Sequence, residues 1–250
     1  MGSAAFRIVG HRGAMALEPE NTMKSFRRGE TLGVDAVELD VWLSRDGHLV
    51  VMHDPALDRT TDGSGEIADA CWDQIQRLDA GHGERVPDLE TVCRQIHHTG
   101  LQVEVKTPDA AEAVVDLLRE QCAERDDITI SSFSVECVQT VLTARRPEET
   151  WTVGLICGAK EGDKLQRYVD LGMDQLMVNW ALSDLGPAQE FRRSGCATVW
   201  QCTSAADVER AIDEGWAGTT LDDPRIGLTV RSDRGLAPSR FRTPSRLDPT

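Results

Sequence analysis

The sequence predicts an α/β protein built as a closed parallel barrel of eight strands ringed by helices. Three observations carry that expectation. Short runs rich in Val, Ile and Leu recur near residues 6–10, 34–40, 101–105, 127–131, 151–155, 175–178, 197–201 and 217–221. Such runs suit strands buried on both faces. Amphipathic helical stretches separate most of them, and alternation repeated eight times closes into a barrel. An open doubly wound sheet is the rival architecture, but no Gly-x-Gly-x-x-Gly turn follows the first run.

After the first strand, residues 21–32 place Met23, Phe26 and Leu32 on one side of a helix. After the second strand the alternation breaks. Residues 41–54 read as a strand, an Arg45-Asp46-Gly47 turn and a returning Leu49-Val50-Val51-Met52, with Asp-Gly as the hairpin signal. Residues 55–90 then form a small insertion after the second strand, expected to lie over the barrel mouth, with helix resuming over 89–98. In 109–122, Asp109 and Glu112 have capping-box spacing ahead of Val114, Val115, Leu117 and Leu118. Ser134 caps a helix over 135–145, Ser204 caps 205–214, and Gly215 ends the latter. The expected organisation is one domain over 1–230 and a flexible tail over 231–250, where five arginines and three prolines meet no apolar period.

Bulk composition narrows the function. A length of 250 residues suits one such barrel. With 27 Lys and Arg against 42 Asp and Glu, the net charge of −15 argues against a nucleic-acid partner. It also gives an anionic substrate no long-range attraction, so any phosphate must be held by local cations. No stretch approaches the roughly 20 apolar residues of a membrane span, so no stable membrane insertion is expected. The N-terminus shows no basic start followed by a long apolar run, and none of the seven cysteines forms a Cys-x-x-Cys pair. A reduced, cytoplasmic setting is therefore expected.

The charged residues that remain sit at strand ends. Glu38 and Asp40 are two apart, so both side chains share one strand face. Taken alone they read equally well as exposed acids. Glu104-Val105-Lys106 repeats the spacing at the next barrel strand, and three crowded carboxylates repel one another unless a cation sits between them. With no cysteine nearby, that donor set favours one hard divalent cation, Mg²⁺ or Ca²⁺, over zinc. His11 and His53 each follow a strand and neighbour a charged residue, Arg12 or Asp54, which makes them a candidate acid–base pair. Arg12 and Lys106 would bring a cation-bound site holding a phosphodiester to neutrality. His48, His82, His97 and His98 lie on the hairpin, in the insertion and at a helix end, and carry no such pattern.

His11-Arg12-Gly13, Pro19-Glu20-Asn21-Thr22, Glu38-Leu39-Asp40-Val41, Asp46-Gly47, His53-Asp54 and Glu104-Val105-Lys106 occur in the order and spacing of one family. With Ser131-Ser132-Phe133-Ser134, Val199-Trp200 and Asp222-Asp223-Pro224, the chain resembles the glycerophosphodiester phosphodiesterases over residues 7–225. The resemblance implies a TIM (β/α)8 barrel and a metal held by Glu38, Asp40 and Glu104. It implies His11 and His53 as acid and base, with Arg12 and Lys106 on the phosphate of a small glycerophosphodiester. The products would be sn-glycerol 3-phosphate and an alcohol. Trp200, at the end of its strand, reads either as a face for the glycerol carbons or as a core tryptophan. Three departures from the family pattern stand out. Trp200-Gln201-Cys202-Thr203 replaces Trp-Thr-Val-Asn, Leu221-Asp222 replaces Thr-Asp, and Pro87-Asp88-Leu89-Glu90 lacks a threonine. The first two lie at the barrel mouth and bear on substrate identity more than on chemistry. Two other readings stay open on the same scaffold. A lysophospholipase-D-type enzyme would need an apolar groove, for which Leu57, Ile67, Trp72, Ile75 and Leu78 are candidates. A non-catalytic barrel would merely bind a phosphorylated ligand.

Overall fold

The computed structural model describes residues 5–162, 165–166, 170–200 and 202–239. The chain enters through strand β1 (Arg7–Gly10), helix α1 (Met23–Leu32) and strand β2 (Ala36–Leu43). A short strand β3 (Leu49–Val51) folds back antiparallel on the end of β2, pairing Val41 with Val51 and Leu43 with Leu49. Two helical turns follow, at Ile67–Asp69 and in α2 (Trp72–Ile75), then α3 (Leu89–Gln95). The regular alternation resumes with β4 (Gly100–Val105), α4 (Pro108–Gln121), β5 (Ile128–Ser132), α5 (Val135–Ala144) and β6 (Thr152–Cys157). It ends with β7 (Gln175–Asn179), α6 (Gly186–Arg193), β8 (Ala197–Trp200), α7 (Ala205–Glu214), β9 (Gly218–Leu221) and α8 (Pro224–Asp233).

Eight of these strands are parallel, and β1 pairs with both β2 and β9, so the sheet closes on itself. This is the TIM barrel expected from the sequence, and each of the eight apolar runs supplies one strand. Alternation along the strands sorts the side chains. Leu39, Val41, Leu101, Val103 and Val105 are buried in the main apolar core, while Glu38, Gln102 and Glu104 share the face that lines a central cavity. The pairing of β2 with β4 sets Glu38 against Gln102 and Asp40 against Glu104.

Local departures have local causes. α1 begins at Met23, two residues later than expected, because Asn21 has a left-handed backbone (φ 55°) and Thr22 caps the helix by accepting from the Ser25 N–H. α4 is capped not by Asp109 but by Thr107, whose hydroxyl accepts from the Ala110 N–H while Pro108 occupies the first turn. Ser134 and Ser204 cap α5 and α7 as expected, and Gly215, at φ 81°, ends α7. Leu57, Ile67 and Ile75 are buried with Val50, Met52 and Val86 in a separate small core, joined by Trp72 and Leu78 at its edge. They are packing residues of that small core.

At the other end, α8 runs through residue 231, the first of the expected tail, to Asp233. Arg231 is buried because it pairs with Asp35 and donates to the Phe6 carbonyl, and Ala237 bridges to Ala5. The rest of that expected tail, 240–250, lies outside the described residues. No helix among the described residues is long and apolar enough to cross a membrane. Replacing Thr107 with Ala should lower unfolding free energy by about 1 kcal/mol, while Asp109→Ala should change it far less. Urea denaturation of both variants measures the difference.

Candidate active site

Of the eight residues expected at the site, His11, Arg12, Glu38, His53, Glu104 and Trp200 line one cavity of about 690 Å³ at the C-terminal ends of the strands. Asp40 and Lys106 adjoin it through ion pairs. Strand register explains the acidic group. Asp40 and Glu104 are cross-strand neighbours, and Glu38 lies two residues before Asp40 on the same face. One carboxylate oxygen from each of the three lies within 4.8 Å of the others, and all three residues are buried.

Burial and mutual repulsion govern how these acids titrate. Burial first, then the charge of Asp40, pushes the Glu38 carboxyl up to about 8. Glu104 is raised for the same two reasons. Burial acts on Asp40 too, but the Lys106 ammonium, 2.6 Å from its Oδ1, and the Asn21 amide, which donates to Oδ2 at 2.8 Å, hold it below the ordinary value. Lys106 also pairs with Glu104. Desolvation opposes its charge, yet the two carboxylates outweigh that and raise it. Glu38 Oε1 is buried with no hydrogen-bond partner among the described residues. An orphaned carboxylate oxygen beside two more carboxylates is a donor set that fits a hard divalent cation.

The turn after β1 presents the next two groups. Arg12 adopts φ 47°, a conformation costing a non-glycine residue of order 1 kcal/mol, and three bonds hold it there. Its N–H donates to Glu38 Oε2 at 2.8 Å, and its carbonyl accepts from the Ser25 hydroxyl and the Asn21 N–H. Gly13 follows at φ 91°, where an added Cβ would lie 2.4 Å from the Ser25 hydroxyl oxygen. The Arg12 guanidinium donates to Glu20 at 2.8 Å and lies 3.5 Å from Asp40.

Both imidazoles are held by a carboxylate. His11 Nδ1 bonds Asp222 Oδ1 at 2.6 Å, and its Nε2 lies 3.9 Å from Glu38 Oε2. Burial works against the charged ring, but Asp222 and Glu38 outweigh it and raise His11 above its ordinary value. The His11 bond in turn lowers Asp222. His53 Nδ1 bonds Asp54 Oδ1 at 2.5 Å, and Asp54 is held far below the carboxylate range by Arg59 first and His53 next. An ionised carboxylate only accepts, so each ring carries its proton on Nδ1 and keeps Nε2 free. Across the cavity the wall is apolar, with Ile156, Met177 and Trp200, whose ring meets that of Phe133 edge-on at 5.6 Å.

Sequence reasoning placed no role on Asp222, Asn21, Glu20 or Arg59. The first three lie within motifs already quoted, whereas the Asp58-Arg59-Thr60-Thr61 stretch offers only an arginine near a turn. His48 stacks on Trp72, and the backbone N–H groups of His97 and His98 donate to Glu30. His82 does not line the cavity.

Comparison with known proteins points to one family. The model of the glycerophosphoryl diester phosphodiesterase family matches residues 11–225. A glycerophosphodiester phosphodiesterase of Caldanaerobacter subterraneus is 31% identical over 242 residues, covering 89% of this chain and 96% of its own. Among solved structures, an Oleispira antarctica phosphodiesterase in complex with the product sn-glycerol-3-phosphate superposes with a TM-score of 0.81 at 25% identity, covering 90% of this chain and 96% of that one. A glycerophosphodiester phosphodiesterase from Agrobacterium tumefaciens gives 0.74 at 27% identity, covering 89% and 99%.

The raised acids make a pH prediction for chelator-treated protein. Glu38 keeps its proton up to about pH 8 when folded but loses it near the ordinary 4.5 when unfolded. The folded state therefore holds more protons across that window, and stability should fall as pH rises from 5 to 8. Melting temperature measured across that range should drop, and adding Mg²⁺ or Ca²⁺ should raise it more at pH 8 than at pH 6. Calorimetry at pH 7 in buffers of different ionisation enthalpy should show proton release on cation binding.

Proposed function

The chain belongs to the glycerophosphoryl diester phosphodiesterase family, and from that membership we propose that it hydrolyses a small glycerophosphodiester to sn-glycerol 3-phosphate and an alcohol. The observation that carries the proposal is the convergence of both imidazoles, Arg12, Glu38 and Glu104 on one cavity, with Asp40 tied to the same group. Binding modules have no use for two histidines each held through Nδ1 by a carboxylate. The Oleispira relative, crystallised with sn-glycerol-3-phosphate, supports the same substrate class.

In this reading Glu38, Asp40 and Glu104 hold one divalent cation, Mg²⁺ or Ca²⁺. When bound, that ion would polarise a phosphoryl oxygen and offset the charge that develops there. Arg12 supplies two-pronged hydrogen bonding to the non-bridging oxygens from the cavity wall, and Lys106 adds positive charge from behind Asp40 and Glu104. His11 and His53 divide the proton work. One Nε2 removes a proton from the attacking hydroxyl: from water, which gives glycerol 3-phosphate directly, or from the substrate's own glycerol 2-hydroxyl, which gives a cyclic phosphate that a water must then open. The other gives a proton to the departing alcohol oxygen. Asp222 and Asp54 keep each ring in the tautomer that this exchange needs and favour the imidazolium when it forms. Trp200 supplies an apolar face for the glycerol carbons, and the remaining apolar wall receives the alcohol. Seven free cysteines and the acidic surface agree with a cytoplasmic enzyme that binds no nucleic acid.

Release of glycerol 3-phosphate from a panel of glycerophosphodiesters, followed by a coupled assay, tests the reading. Turnover should vanish in chelator and return with at least one of Mg²⁺, Ca²⁺ or Mn²⁺. Glu38→Gln should raise the cation concentration needed for half-maximal rate. His53→Ala should cut kcat by roughly 10²–10⁴-fold while calorimetry still detects bound cation. Phosphodiester binding without turnover by the wild-type protein would make it a binding barrel, and faster turnover of lysophospholipids would make it a lysophospholipase D.

A further inference from the structure

We propose that Arg59, from the segment between β3 and α3, is a positioning residue that fixes the His53 imidazole and the Arg12 guanidinium relative to each other. The inference rests on the phosphodiesterase reading above and deepens it.

The guanidinium is gripped on two edges. Its Nε and Nη2 donate to Asp54 Oδ2 and Oδ1 at 2.5 and 3.1 Å, and its Nη1 and Nη2 donate to Glu20 Oε2 and Oε1 at 2.9 and 2.7 Å. The same Asp54 Oδ1 bonds His53 Nδ1, and the same Glu20 Oε1 accepts from Arg12 Nη1. One nitrogen, Nη2, therefore touches both oxygens that orient the two functional side chains. A planar fork gives each of the two carboxylates a pair of hydrogen bonds, whereas a lysine ammonium in its place would act as a point charge.

Two consequences follow from the charges. Without Arg59, Asp54 and Glu20 would face each other uncompensated, and Glu20 would be free to draw Arg12 into a two-pronged pair away from the cavity. Asp54 would also act on His53 with its full charge. The groups facing His53 are Asp54 beside it, Arg59 from the following segment, and His11, Arg12, Glu38 and Glu104 around the cavity. Arg59 is the cation nearest Asp54. Its side chain is 46% exposed, and ion pairs in that setting contribute little to fold stability, so its effect should appear in alignment.

The test uses full-length protein with cation restored and glycerophosphocholine as substrate. Arg59→Gln should lower kcat/KM by roughly 10–100-fold with most of the loss in kcat, as expected for a misplaced group. Arg59→Lys should recover only part of it. Thermal melting of both variants should stay close to wild type. NMR titration of the His53 ring, assigned by its disappearance in His53→Gln, should show its midpoint rising in Arg59→Gln. The double variant Asp54→Asn/Arg59→Gln should lose less than the product of the single losses. Unchanged kcat and an unchanged His53 midpoint in Arg59→Gln would overturn the inference. So would a loss that Arg59→Lys fully restores in step with melting temperature, which marks a plain structural clamp. Wild-type protein inert toward every diester would overturn the function reading instead, and the His53 titration would then decide Arg59 alone.

Discussion

Three carboxylates buried side by side repel one another, and that unfavourable crowd organises the whole mouth of the barrel. Register forces it: Asp40 and Glu104 are cross-strand partners, and Glu38 shares their face. The protein answers with Lys106 between two of the acids and with the Arg12 N–H and Asn21 amide on individual oxygens. Even so, Glu38 retains an unpartnered oxygen and a raised affinity for a proton. A site left short of positive charge in this way suits a divalent cation.

The tension at the acids explains the backbone around them. A left-handed arginine would be an odd choice for a free turn, but Arg12 gains a bond to Glu38 through its N–H that a relaxed turn would forfeit. Gly13 has to follow because Ser25 closes on the turn from α1, donating to the Arg12 carbonyl and accepting from the Ala14 N–H. The first loop is thus cast against β2 and α1 together. Its side chains arrive at the cavity with little freedom left.

Much of this was legible in the chain. Strands buried on both faces leave plain Val, Ile and Leu runs, and polar residues that interrupt such runs at their C-terminal ends mark the mouth of a barrel. His11, Arg12, Glu38, His53 and Glu104 could be picked out on that ground. Contacts made by distant residues could not. Asp222 meets His11 across 211 residues, and nothing near either residue announces the other. Arg59 looks like any arginine in a turn until the segment folds back on Glu20. The cap of α4 was misread for a simpler reason: Asp109 and Glu112 mimic a capping box, while Thr107 with Pro108 behind it was the better signal.

The His11–Asp222 bond spans the seam where the first strand meets the last. A growing polypeptide therefore displays His11 early in synthesis but gives it a partner only once β9 has left the ribosome and docked. Every nascent fragment shorter than that lacks an oriented first histidine. On the proposed roles, ring closure is what completes the acid–base pair.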